Sequence, residues 1–333
     1  VTKRERSCEL AVNSPITGAK PAPLSSAAMI PTLLPPLAGA VSYFQAIVLG
    51  FLQGVTELFP ISSLGHTVLF PTLFGWNALV DAQSKSESFW LAFVVTLHLG
   101  SALGLLAYYR RAWVEVISGF FRTLAKRRVD DADERLAWLI ITASIPAGLL
   151  GLAFEHQLRT LTAKPEVAAV FLVVNGGILF AAERYRRRAE VRELAIREGA
   201  KPDGARELDT LEIREALTVG IAQSTALVAG ISRDGVTMGT GLARGLDHSD
   251  SARFAFMLAT PIILAAAIFK MPDLLGHLGD GVRGQAAVAC AVAAVTAVLT
   301  VRFLVGYFKT RTLIPFAVYC VAFGGAMVIY TLG

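Results

Sequence analysis

The sequence is poor in charge. Asp, Glu, Lys and Arg together make up 17% of its 333 residues, against 54% apolar residues. With a mean hydropathy of +0.56, that balance excludes an ordinary soluble domain. Cysteine is nearly absent: Cys8 lies in the N-terminal tail, and Cys290 and Cys320 lie inside apolar runs. A disulfide framework is therefore excluded, and the cysteines read as packing residues. The net charge is only +5. The basic pI of about 9.2 would suit a nucleic-acid binder, but the Lys and Arg residues fall in a few short stretches between apolar runs. That distribution is a membrane-topology signal, so no nucleic-acid partner is expected.

What the chain has instead is apolar sequence in lengths close to the ~20 residues of a spanning helix. Full-length runs cover residues 89–109, 136–154, 167–182, 251–270, 285–308 and 313–332. Two basic stretches, 110–135 and 184–214, fix direction: by the positive-inside rule both are cytoplasmic, and the hairpin between them turns outside at 155–166. Continuing this accounting puts both ends of the broken apolar segment 216–244 on the cytoplasmic side, so it enters and leaves as a re-entrant hairpin. The broken segment 41–80 then enters from outside. Trp76, Trp90, Trp113 and Trp138 fall near span ends, as an aromatic belt requires. Residues 1–37, polar and then rich in Ala, Pro and Ser, read as a disordered tail, with Met29 a candidate true start.

The expected fold is an all-α polytopic membrane protein of two inverted-topology repeats, each a re-entrant helix hairpin followed by three transmembrane helices. The first repeat covers 38–183 and the second 215–333. A charged cytoplasmic linker, 184–214, joins them. A duplication is also visible residue by residue. Aligning Gly50 with Gly220 superposes G-F-L-Q-G-V-T-E-L-F-P-I-S-S-L-G on G-I-A-Q-S-T-A-L-V-A-G-I-S-R-D-G without a gap, with Gln53/Gln223, Ile61/Ile231, Ser62/Ser232 and Gly65/Gly235 identical.

Chemistry concentrates at these two breaks. In Q-G-V-T-E-L-F-P-I-S-S-L-G-H, residues 53–66, Gln53 and Glu57 are spaced to share a helix face, and Pro60 is followed by Ser62, Ser63 and His66. An ionisable group at bilayer depth costs about 2.5–3.5 kcal/mol on insertion scales, so it normally faces a cavity and has a task. Glycine-broken tips that begin new half-helices attract anions, and Ser63, Ser232 and Arg233 add hydroxyls and a planar cation suited to phosphate oxygens. Beside that anion site, Ser63 is a candidate nucleophile, His66 a base or acid, and Glu57 a partner for either. His98, in the middle of a span, is balanced between packing and a supporting role. Such a set suits hydrolysis of a phosphorylated lipid. A transporter or flippase of a lipid phosphate is the competing reading, since inverted repeats with broken helices are transporter architecture.

The first motif, Gln53-x-x-x-Glu57 followed by Pro60-Ile61-Ser62-Ser63-Leu64-Gly65-His66, resembles the first signature of the bacterial undecaprenyl-diphosphate phosphatases. Gly230-Ile231-Ser232-Arg233-Asp234-Gly235-Val236-Thr237 resembles the second. The resemblance implies removal of the terminal phosphate from undecaprenyl diphosphate, which recycles the carrier lipid of peptidoglycan synthesis, and resistance to bacitracin. It implies a multi-pass protein of the bacterial cell membrane with its site facing the outer side, and stimulation by a divalent cation, Mg2+ or Ca2+, held with Glu57. Oligomeric state, a homodimer included, stays open. Carried over by position, Glu57, Ser63, His66 and Arg233 form the catalytic set. Gln53, Ser62, Ser232, Asp234 and Thr237 are substrate-binding. Ser63 is the preferred nucleophile, with attack by His66 or water left open. Two departures stand out: Ala229 replaces a proline, and Asp234 replaces a serine, bringing a second negative charge near the anion site.

Overall fold

The computed structural model describes residues 41–83, 89–162, 164–196, 206–277 and 280–332. The tail and the middle of the linker lie outside the described residues. The described chain is all-α: α1 (Tyr43–Thr56), α2 (Ser63–Leu73), α3 (Asn77–Gln83), α4 (Phe89–Tyr108), α5 (Arg110–Lys126), α6 (Ala132–Thr162), α7 (Pro165–Ile196), α8 (Ile213–Gln223), α9 (Arg233–Ala243), α10 (His248–Leu275), α11 (Arg283–Tyr307) and α12 (Ile314–Leu332). Among the described residues there is no strand; an isolated bridge joins Arg206 and Leu246.

Five segments are long and apolar enough to cross a membrane: Ala132–Phe154, Pro165–Arg187, His248–Pro272, Arg283–Tyr307 and Ile314–Leu332. A sixth results if α4 is counted with α5, which bends from it by 85°. These coincide with the six apolar runs of the sequence. α1 and α2, like α8 and α9, are each shorter than the ~20 residues a span needs, and each pair is interrupted where the sequence places Pro60 or Gly230. Gly230 takes φ +102°, a conformation that a side chain would strain.

Helix contacts are made by small residues. Burying apolar side chains offers little gain between helices already in lipid, so close backbone approach supplies the packing energy. On α11, Ala286, Ala289, Ala293 and Ala297 are fully buried along one face. α1 lies on that stripe: a Cβ on Gly50 would come within 2.6 Å of the Ala289 carbonyl oxygen, and one on Gly54 within 2.6 Å of Thr296 Cβ. α4 meets α11 through Gly100 and Gly104, and α12 meets α7 through Gly324 and Gly176. The outward side chains are large and apolar, with Phe44, Ile268, Ile329 and Leu332 exposed, as suits a lipid-facing surface.

Three expectations change. Residues 110–126, taken as loop, form the helix α5. Val116, Gly119 and Thr123 seat it on α6, while Val114, Ile117, Phe121 and Leu124 lie exposed. α7 carries its helix past residue 182 through Arg184–Arg188 to Ile196, so the linker starts helical. Trp90 is buried and stacked on Phe93, and Trp138 donates to Thr123 Oγ1 at 3.1 Å; these two rings pack within the protein instead of forming a belt. Cys320 is buried and accepts a hydrogen bond from Asn175 Nδ2 at 3.3 Å, a packing residue as expected.

Polar ties hold the ends of the elements. Ser42 and Gln45 form a reciprocal capping box on α1. Arg206 binds Glu215 at 2.8 Å and donates to the Arg244 carbonyl, joining the start of α8 to the end of α9. Glu183 accepts from His248 Nε2 at 2.6 Å and from the Leu313 N–H at 2.7 Å, tying α7 to the starts of α10 and α12.

Candidate active site

The two breaks in the chain touch. Ser62, just before α2, takes φ 71°, a strained value for a residue with a side chain that costs about 1–3 kcal/mol. Its Oγ accepts the Gly65 N–H at 3.3 Å, capping α2, and the Gly230 N–H at 3.1 Å from the other break. A Cβ on Gly65 would lie 3.1 Å from Gly230 Cα, so glycine on both sides lets the backbones meet. Ser232 caps α9 in the same way, accepting the Gly235 N–H at 3.1 Å. Asn175, in the first half of α7, clamps both tips: its Nδ2 donates to the Pro60 carbonyl at 2.9 Å and its Oδ1 accepts the Ser232 N–H at 2.9 Å.

This juncture brings a hydroxyl, a carboxylate and a guanidinium together. Glu57, one turn beyond Gln53 on α1, accepts from Gln53 Nε2 at 2.9 Å and from the Ser63 hydroxyl on the same oxygen. Its other oxygen takes Arg233 Nη2 at 2.6 Å. His98 of α4 stands with Nε2 3.4 Å from Glu57 Oε2. The carboxylate is nearly inaccessible, so this array of donors is what makes an anionic oxygen tolerable there.

The cluster forms one end of a cavity of about 300 Å³. Glu57, Ser62, Ser63, His98, Ser232 and Arg233 give it a polar wall, and the first residues of α2 and α9 both contribute to that wall. Apart from Gln223, the rest of the lining is apolar, with Val94, Val95, Leu227, Ile262 and Ile263 among it. Two helix N-termini beside a guanidinium can hold an anion, and the apolar lining suits a hydrocarbon chain.

Of the residues singled out in the sequence, Glu57, Ser62, Ser63, His98, Ser232 and Arg233 line the cavity. Gln53 stands behind Glu57 and fixes its oxygen. His66, Thr237 and Asp234 are buried but do not line it. The His66 ring is boxed in: Nδ1–H donates to the Ser62 carbonyl at 2.7 Å, the Tyr319 hydroxyl donates to Nε2 at 2.9 Å, and the ring stacks on Tyr319 and Phe323. Asp234 Oδ1 lies 3.5 Å from Arg233 Nε, and neither of its oxygens makes a hydrogen bond. Asn175 and Tyr319 were missed. Asn175 did leave a signal, a lone amide in the middle of an apolar span.

A family model described as "Bacitracin resistance protein BacA" matches residues 46–326, which contain both breaks and all the cavity residues. The chain is 47% identical to undecaprenyl-diphosphatase 2 of Frankia alni, over 85% of this chain and 96% of that protein. It is 48% identical to the undecaprenyl-diphosphatase of Mycolicibacterium paratuberculosis, over 87% and 97%, and 41% identical to that of Granulibacter bethesdensis, over 86% and 95%. With its two motifs folded into one cavity and the match running through nearly all of its described length, the chain belongs to the bacitracin resistance protein BacA family.

Proposed function

We propose that the protein is an integral membrane phosphatase that hydrolyses undecaprenyl diphosphate to undecaprenyl phosphate and inorganic phosphate. It thereby recycles the carrier lipid of the cell envelope and confers bacitracin resistance. The observation that carries this reading is the Ser63 hydroxyl bonded to Glu57, whose other oxygen is held by Arg233, in a cavity whose remaining lining is mostly apolar. The relatives' names supply the lipid. Carriage of a lipid phosphate without hydrolysis is not favoured, because transport needs no activated nucleophile.

The steps follow from that geometry. Arg233 and the first turns of α2 and α9 hold the terminal phosphate. Ser63 Oγ attacks its phosphorus while Glu57 takes the hydroxyl proton. The phosphorus–bridging-oxygen bond breaks, its electron pair leaves with undecaprenyl phosphate, and a phosphoseryl intermediate remains. Water then attacks that phosphorus, giving one proton to Glu57; Ser63 leaves, recovers a proton, and inorganic phosphate is released. Gln53 keeps Glu57 in register throughout. Before the second half, Glu57 must pass on the proton it took in the first.

Among the described residues no three His, Cys, Asp or Glu side chains are grouped to hold a metal ion. A divalent cation taking part in the reaction would be held by Glu57 beside the substrate's diphosphate. When bound, it would neutralise phosphate charge. The fold behind the site is two inverted repeats. Supporting this, α1 of the first packs through Gly50 on α11 of the second, α8 of the second packs through the aligned Gly220 on α6 of the first, and Ser62 and Ser232 cap α2 and α9 alike. The site opens toward the outer face of the cell membrane, as the family resemblance implies, with the 184–214 linker in the cytoplasm, a placement the charge distribution supports.

The test is phosphate release from undecaprenyl diphosphate by the purified protein in detergent with divalent cation, beside folded Ser63→Ala and Arg233→Ala variants. Release by the wild type alone is expected. Binding of the lipid without release by any of them would overturn the phosphatase reading in favour of transport.

A further inference from the structure

α4 is 20 residues long, about the length of one span, and α5 leaves it at 85°, so α5 runs along the bilayer surface instead of across it. Its residues fall into three rows at the helical repeat. Val116, Gly119 and Thr123 form the row docked on α6, close enough that a Cβ on Gly119 would come within 3.0 Å of the Glu134 backbone nitrogen. Arg111, Glu115, Ser118 and Arg122 form an exposed polar row. Val114, Ile117, Phe121 and Leu124 form an apolar row, and they are 65%, 49%, 62% and 50% exposed. A docked row with a polar row on one side and an apolar row on the other suits a helix held in an interface, with acyl chains below it and water above. Charge brackets the apolar row, with Arg110 and Arg111 at its start and Arg127 and Arg128 at its end. Arg122, Lys126 and Arg128 are paired with Asp130, Asp131 or Glu134. Among the described residues, Arg110, Arg111 and Arg127 have no carboxylate partner; Arg110 reaches only the Ala107 carbonyl, at 3.2 Å. Glu115, the one carboxylate within α5, lies in the polar row.

We infer that α5 is an interfacial anchor that binds anionic phospholipid: Val114, Ile117, Phe121 and Leu124 sit among the acyl chains just below the headgroups of the cytoplasmic leaflet, and Arg110, Arg111 and Arg127 take the headgroup phosphates. Arginine stems lie along apolar surface while the guanidinium stays at headgroup level, and an anionic leaflet attracts clustered basic residues. Docking on α6 fixes the rotation of the helix, so the apolar row keeps facing the bilayer. A second copy of the chain seated on this face would bring the same unpaired arginines against it, so the charge favours phosphate. The choice of leaflet follows from the orientation proposed above; the seating itself does not.

The test is fluorescence quenching on the full-length protein in lipid nanodiscs, with a bimane label at Phe121→Cys or, as its control, at Ser118→Cys, in a Cys8→Ser, Cys290→Ala background. A nitroxide on the acyl chain of phosphatidylglycerol or of phosphatidylcholine is the quencher from the lipid side, and acrylamide the quencher from water. The label at 121 should be quenched strongly by lipid and weakly by acrylamide, and the label at 118 the reverse. At equal mole fraction phosphatidylglycerol should quench at 121 more than phosphatidylcholine, and added salt should weaken that preference. A basic residue near an anionic surface is worth about fivefold, so replacing Arg110, Arg111 and Arg127 together by Gln should lower the preference several-fold while unfolding temperature in detergent stays at the wild-type value. Three results would overturn the inference. Equal acrylamide quenching at 121 and 118 would put the face in water, quenching at 121 from neither side would put it under protein, and equal quenching by the two lipids would remove the anionic headgroup. Labelling of a tag after Lys201 from outside the cell would move α5 to the other leaflet and leave the expected quenching unchanged, so failure of the orientation and failure of this inference are told apart.

Discussion

At the residue scale the site is a single carboxylate with four neighbours. Glu57 holds Ser63, Gln53, Arg233 and His98 at once, so each variant should fail in its own way. Glu57→Gln keeps the shape and removes the base, and phosphate release should fall about 10²–10⁴-fold with little change in unfolding temperature. Arg233→Lys keeps the charge but loses the planar fork that reaches carboxylate and phosphate together; a loss of about 10²-fold in kcat is expected. Asn175→Leu tests the clamp. It strands the Ser232 N–H and the Pro60 carbonyl, at about 1–3 kcal/mol for each group left buried and unpaired. The unfolding temperature and kcat should therefore drop together, although Asn175 does not line the cavity. The i, i+4 spacing made the Gln53–Glu57 pair legible in the sequence. Asn175, Tyr319 and the nearness of His98 were not, because each comes from a helix far away along the chain.

At the scale of elements, glycine sets how closely helices approach. Gly54→Val would push a side chain into Thr296 and the Ala293 carbonyl of α11. Overpacking of this kind costs about 1–3 kcal/mol, and because Glu57 lies less than a turn beyond α1, activity should fall with stability. Detergent unfolding of Gly54→Val beside Gly177→Val, where no atom lies within 4 Å of the added Cβ, separates crowding from a general effect of valine. The spans were readable because a continuous apolar run has few other fates. α5 was not: its apolar residues alternate with Arg110, Arg111, Arg122 and Lys126, so it reads as a basic loop, and its helix is evident only once Val116, Gly119 and Thr123 dock on α6.

At the scale of the whole molecule, the proposed orientation makes one strong prediction. A tag inserted after Lys201 should be labelled only from the cytoplasmic side, and labelling in intact cells from outside would invert every element. The long continuous apolar runs determined that the chain is a helical membrane protein, because a backbone in lipid is satisfied by helices or closed barrels and barrel strands alternate instead. The local motifs determined where the chain breaks and which residue types meet an anion. Only the tertiary structure decided which of those side chains face the cavity. Whether a helical residue looks inward depends on the rotation of its helix, and that rotation is set by contacts with partners distant in sequence. Thus Ser63 reaches the polar wall, while His66, one turn on, points into Tyr319 and Phe323.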